Sequence, residues 1–122
     1  MLSLTLLERA ALSDIGERYP DDRVALEAQL RTAVARSRTN TGAGFYTYLD
    51  VDPASPSIGG GLRMGGWTTV EGFDDPMGFI LWLKNGYADH LEGFTVRDST
   101  TAVDLSQVNF SLPFFGPTTR VN

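Results

Sequence analysis

The stretch MGFILWLKNGYADHLEGFTVR, residues 77–97, constrains this chain more than any other part of it. A dense apolar run, Phe79-Ile80-Leu81-Trp82-Leu83, meets Asn85-Gly86, and a second strand-like run leads away from Tyr87 to Val96. Asn-Gly between two such runs predicts a two-residue hairpin, because both central positions of a type I′ turn take positive φ. A two-residue turn also sets the pairing. It puts Lys84 opposite Tyr87, Leu83 opposite Ala88, Trp82 opposite Asp89, Leu81 opposite His90, Ile80 opposite Leu91 and Phe79 opposite Glu92. Strict alternation then leaves Leu91 and Phe94 on opposite faces, so a bulge is expected at Glu92-Gly93, where glycine tolerates one. With that bulge Ile80, Trp82, Leu91, Phe94 and Val96 face the helices. The other face holds Phe79, Leu81, Leu83 and Ala88 with His90, Glu92, Thr95 and Arg97. Phe79, Leu81 and Leu83 are too apolar to stand bare. The 62–70 segment, the C-terminal tail or a second copy of the chain is expected to cover them.

Upstream, Thr5-Leu6-Leu7-Glu8 has the spacing of a capping box and opens a helix over about 6–18. Leu7, Ala11 and Ile15, with Leu12 and Tyr19 beside them, form its apolar stripe. Gly16 weakens this helix and Pro20 ends it. A second helix is predicted over 23–37, capped by Asp21 or Asp22, with Leu26, Leu30, Ala33, Val34 and Ser37 as its stripe. Glu27 and Arg31 are spaced for a surface ion pair, and Arg36 and Arg38 suit the negative end of its dipole. Residues 39–44 read as a loop. Residues 45–51 then alternate, with Phe45, Thr47, Leu49 and Val51 on one side and Tyr46, Tyr48 and Asp50 on the other. Pro53 and Pro56 stop that strand. Residues 62–72 read as one strand or a bent pair, with Gly65-Gly66 as a bulge. Residues 103–112 are expected to add an edge strand stopped by Pro113 and Pro117, and 118–122 to fray. Helices first and strands after predict one α+β domain: two N-terminal helices on one face of a four- or five-stranded antiparallel sheet.

At 122 residues with 42% hydrophobic content, the chain can bury a real core. It has no cysteine, hence neither disulfide nor thiolate chemistry, which fits the cytoplasm. No apolar run approaches the roughly 20 residues of a membrane span. The N-terminus lacks a basic region, and Glu8 and Arg9 interrupt its apolar stretch, so no signal peptide is expected. The net charge of −5 lies wholly in residues 44–122, which carry nine acidic and four basic residues. Such a surface repels phosphate backbones, so no nucleic-acid partner is expected, while a basic protein partner would suit it.

Candidate chemistry is sparse. His90, the sole histidine, has Glu92 two residues along, and such a pair can move protons. No activated nucleophile accompanies them, since no serine stands in a G-x-S-x-G elbow, and no catalytic residue is assigned. Asp50 with Asp52, and Asp74 with Asp75, follow no calcium-loop pattern, and one histidine without cysteine makes no zinc set. No metal or cofactor is assigned. Gly59-Gly60-Gly61 and Gly65-Gly66 lack the Gly-Lys-Ser/Thr of a phosphate loop. Tyr46, Tyr48, Trp67 and Trp82 carry rings that pack or stack.

Three segments carry a resemblance: Ser37 to Thr47, SRTNTGAGFYT; Gly78 to Gly86, GFILWLKNG; and Leu91 to Thr95, LEGFT. Together they resemble a family of small uncharacterised bacterial proteins bearing S-R-x-x-T-G-x-G-F-[FY]-T and L-E-G-[FY]-T motifs. Many members continue with G-D-E-x-W-P, where this chain has Val96-Arg97-Asp98-Ser99-Thr100. The resemblance implies a bacterial origin and the α+β layout, and no particular activity. It singles out Arg38 and Glu92, expected to pair across the seam between helix and sheet. The leading expectation is a non-catalytic interaction domain that binds another protein or itself as a homodimer, a toxin-neutralising (immunity-type) protein being one instance. The alternative is a small-ligand binder or enzyme with a pocket lined by Tyr46, Tyr48, His90, Glu92 and Arg97.

Overall fold

The computed structural model describes residues 2–116. Two helices, α1 (Leu6–Arg18) and α2 (Arg23–Arg31), precede five strands: β1 (Val34–Asn40), β2 (Gly44–Asp50), β3 (Leu62–Thr68), β4 (Met77–Lys84) and β5 (Tyr87–Phe94). The strands form one antiparallel sheet in the order β1-β2-β5-β4-β3. This is the expected α+β arrangement, with the most apolar hairpin at its centre.

α1 begins where the capping box predicts. The Thr5 hydroxyl accepts from the Glu8 N–H, and the Glu8 carboxylate accepts from the Thr5 N–H at 2.8 Å. Its Leu7, Ala11, Leu12 and Ile15 are buried against the sheet. α2 is six residues shorter than expected. Residues 34–40 leave the helix and become β1, carrying Arg36 and Arg38 with them. Helical spacing of Leu30, Ala33 and Val34 is outweighed by pairing: β2 has an open edge, and the short turn after Asn40 brings the chain straight back to it. Gly42 and Gly44 make that turn at φ +85° and +130°. Asp22 precedes α2 without capping it and holds Arg63 instead, and the surface ion pair is Arg23–Glu27 rather than Glu27–Arg31.

The Asn85-Gly86 turn forms as expected, with φ +54° and +88°. Lys84 faces Tyr87 and Leu83 faces Ala88. One residue later the expected register fails. The bulge lies at Asp89, not at Glu92-Gly93, so Trp82 faces His90, Leu81 faces Leu91, Ile80 faces Glu92 and Phe79 faces Gly93. That single residue inverts the assignment of faces. Phe79, Leu81, Ala88 and Leu91 lie in the core beneath the helices with Phe45, Leu49 and Met77. Ile80, Trp82, His90, Glu92 and Phe94 point the other way, and Val96 is exposed. The inversion buries more apolar surface, since Phe79 and Leu81 are both fully enclosed, and leaves the polar Asp89 as the unpaired extra residue. Gly93 serves another purpose: a Cβ there would fall 2.3 Å from the Phe45 ring.

The predicted bulge at Gly65-Gly66 is present and is tied to the first helix. Asp14 accepts the Gly66 N–H at 2.8 Å, and the Tyr19 hydroxyl accepts the Met64 N–H at 3.0 Å. Beyond Thr68 the chain does not continue as strand. The tail runs along the outer edge of β3 through paired bridges, Val70 with Phe110 and Trp67 with Phe115, rather than as a regular strand over 103–112. Phe114 stacks on Phe79 from the helix side, 5.3 Å between centroids. The fraying expected for 118–122, and the stop at Pro117, lie outside the described residues.

Gln29 had no signal in the sequence, yet it is fully buried in α2. Its amide donates to the carbonyls of Pro56 and Gly86 and accepts from the Ala88 N–H, all within 2.9 Å. It therefore fastens α2, the loop after β2 and the central hairpin at one point. Gln29→Leu is expected to cost about 2–4 kcal/mol in urea unfolding, because it strands a buried N–H and carbonyl groups. A variant within about 0.5 kcal/mol of wild type would contradict that role.

Candidate functional site

The antiparallel register lays side chains on the outer face of the sheet in rows. One row runs Ser37, Tyr48, His90, Trp82, Leu62; the next runs Thr39, Tyr46, Glu92, Ile80, Met64. Four of the five residues expected to line a site, Tyr46, Tyr48, His90 and Glu92, thus meet in the middle of this face, on β2 and β5. The His90 ring lies 5.6 Å from Tyr46, 5.2 Å from Tyr48 and 5.9 Å from Trp82, stacked within 14° of the indole. The Trp82 indole N–H donates to Glu92 at 3.0 Å, and His90 Nδ1 contacts the Asp89 carboxylate at 2.7 Å. All six of these rings and acids are half-buried. They shelter one another from the side, and among the described residues the helices and Phe114 pack on the opposite face.

Arg97 stands elsewhere. It pairs with Asp75 at 2.7 Å, joining the loop after β5 to the turn before β4, and its side chain is 73% exposed. Beside it the Asp98 carboxylate accepts the N–H groups of Asp74 and Asp75, so these acids staple two turns together.

The expected Arg38–Glu92 pair does not form. Arg38 does cross the seam between helix and sheet, but its partner is Glu8 on α1. The guanidinium grips both carboxylate oxygens at 2.8 Å and donates to the Ser3 carbonyl at 2.7 Å. The buried Thr47 hydroxyl completes the set by donating to Glu8. Burial pushes the Glu8 carboxyl up, but hydrogen bonds from Arg38, Thr47 and the Thr5 backbone, with the charge of Arg38, more than offset this and hold it below its ordinary value of 4.5. A cavity of about 300 Å³ opens beside this network, between Thr5, Phe45 and residues 103–106. A second, of about 210 Å³, lies between the helices. Among the described residues no buried side-chain nitrogen or oxygen lacks a partner.

The residues of the three motif segments have structural duties in this arrangement. Arg38 and Thr47 hold Glu8. Gly44 must be glycine because a Cβ would fall 1.9 Å from the Gly93 carbonyl. Asn40 and Gly44 are bound by Thr100, which is fully buried: Thr100 Oγ accepts the Gly44 N–H at 3.0 Å, and the Asn40 side-chain amide donates to the Thr100 carbonyl at 2.7 Å. Leu91 is core. Glu92 faces outward with a charge at the middle of the sheet, and Lys84 does so at its edge beside the turn. Thr100 and Trp82 were not singled out as partners of these positions, and only the register could have revealed them.

Among the described residues there is no group of acids or histidine suited to hold a metal, and no helix is long and apolar enough to cross a membrane. Comparisons with models of known protein families, with curated proteins and with solved structures gave no match.

A folded carboxyl held below its unfolded value adds stability above about pH 4.5 that is lost as pH falls through its folded value. Glu8→Gln is expected to cost about 2–3 kcal/mol at neutral pH, near the low end for a buried pair because Arg38 keeps 28% exposure. The gap between variant and wild type should narrow as pH falls below about 4.5 in paired urea titrations. A gap that does not change with pH would refute this account.

Proposed function

We infer that the chain is a non-catalytic protein-interaction domain that engages another protein, or a second copy of itself, through the outer face of its sheet. The supporting observation is the half-exposed cluster of Tyr46, Tyr48, Trp82, His90 and Glu92, which no helix or tail segment among the described residues overlies. Aromatic side chains in the centre of a flat, partly wet surface are the usual anchors of protein interfaces. A toxin-neutralising role in a bacterial cytoplasm is one instance of this reading.

A small-ligand or catalytic site around His90 and Glu92 is the second reading, favoured by the convergence of four of its five residues. Against it, those residues stand on the sheet surface, and the cavities beside Glu8 and between the helices lie away from them. His90 and its neighbour Asp89 also have no activated nucleophile beside them.

A partner recovered by two-hybrid selection should bind purified wild-type protein in calorimetry. It should lose at least about 2 kcal/mol of affinity with Tyr48→Ala or Trp82→Ala. Val24→Ser, on the exposed side of α2, should leave binding unchanged. A partner indifferent to the face variants and sensitive to Val24→Ser would place the interface on the helices and end the reading. Loss of a catalysed reaction in His90→Ala, with stability kept within about 1 kcal/mol, would favour the second reading.

A further inference from the structure

We propose that the outer face recognises an arginine side chain of a basic protein partner, its guanidinium seated on Glu92 among the rings of Tyr46, Trp82 and His90. The proposal rests on the interaction-domain reading above and names the chemistry of the partner.

The first ground is an uncompensated charge. The carboxylates of Glu8, Asp14, Asp22, Asp50 and Asp75 each hold an arginine of this chain. Among the described residues Glu92 holds none, although it lies half-buried on β5, the middle strand of the sheet. One of its oxygens accepts the Trp82 indole N–H, and the other has no donor among the described residues. A carboxylate flanked by rings and partly withdrawn from water gains most from a cation that is itself weakly hydrated.

The second ground is the company it keeps. Aromatic faces attract cations through their quadrupole, and Trp and Tyr do so best. A guanidinium, being flat, stacks on such rings while it donates two parallel bonds to a carboxylate, whereas an ammonium acts only as a point charge. The face already holds one such arrangement within the chain. Arg36 lies 5.9 Å over the Tyr48 ring while it pairs with Asp50 at 3.2 Å. The Glu92 cluster repeats those components, ring and carboxylate, without the arginine.

The third ground is the wider field. Residues 44–122, which supply four of the five strands, carry the entire net charge of −5. That favours a basic partner at encounter and opposes a second copy of the same acidic surface.

The test is titration of isotope-labelled protein with N-acetyl-L-arginine amide, followed by NMR, beside the same titration with its neutral analogue N-acetyl-L-citrulline amide. The Trp82 indole N–H and the His90 ring signals should shift and saturate with the arginine derivative, at roughly tenfold lower concentration than with the citrulline derivative. Glu92→Gln keeps an oxygen for the Trp82 indole and should abolish the difference between the probes. Retained dispersion of the spectrum shows that this variant is folded; should it not fold, Glu92→Asp, which shortens the reach of the charge, should reduce the difference. Equal response to both probes overturns recognition of a cation while leaving the face as an interaction surface. No response from the face to either probe, or a dimer by light scattering whose contact covers Glu92, overturns the proposal as well. Failure of the interaction-domain reading would appear separately, as binding of a selected partner that Tyr48→Ala and Trp82→Ala leave untouched.

Discussion

The buried carboxylate of Glu8 is the constraint on which much of this structure depends. Its side chain is 3% exposed, and an ion withdrawn that far from water is tolerable only if its oxygens are fully occupied. Each donor that occupies it comes from a different part of the chain: the turn before α1, strand β1 through Arg38, and strand β2 through Thr47. The same residue caps the helix, neutralises the edge strand's arginine and fixes the height at which α1 sits over the sheet. Because β2 is held in this way, Phe45, Thr47 and Leu49 turn inward, and Tyr46 and Tyr48 must turn outward.

The central hairpin supplies the other half of the outer cluster, and there a single extra residue decides the outcome. Asp89 stands opposite no residue of its own on β4. Were it paired with Trp82 in unbroken alternation, His90 and Leu91 would exchange faces, placing the imidazole in the core and an aliphatic chain among the tyrosines. The arrangement is therefore specified twice, by the ion pair on one side of the sheet and by the bulge on the other. Gln29 secures the second, since it takes the N–H of Ala88, the residue immediately before the bulge.

Local chemistry was legible in the sequence; long-range pairing was not. Asn85-Gly86 needs positive φ and obtained it, Thr5 and Glu8 cap as their spacing demands, and residues 45–49 bury alternate side chains as read. Each of these is settled within a few residues. The end of α2 depended instead on β2 offering a free edge, which nothing in residues 23–40 announces. The position of the hairpin bulge depended on Phe79 and Leu81 outcompeting Ile80 and Trp82 for the core, and glycine at 93 was a misleading guide because the Phe45 ring needed that space. Arg38 was expected to leave a helix and meet Glu92 on the sheet; it stands on β1 instead and meets Glu8 on α1, a pairing that only the fold reveals. Tyr46, Tyr48, His90 and Glu92 came together as expected for a different reason from the one anticipated, since Ile80 and Trp82 joined them and the aliphatic residues left.

The strap along β3 has a consequence for synthesis. The outer edge of that strand is sealed by residues 109–115, which leave the ribosome more than forty residues after β3 itself. Until they emerge, the nascent sheet carries an unsatisfied row of peptide groups next to Trp67, the kind of template on which neighbouring chains nucleate. Slower translation across that interval lengthens the time for which this edge stands open.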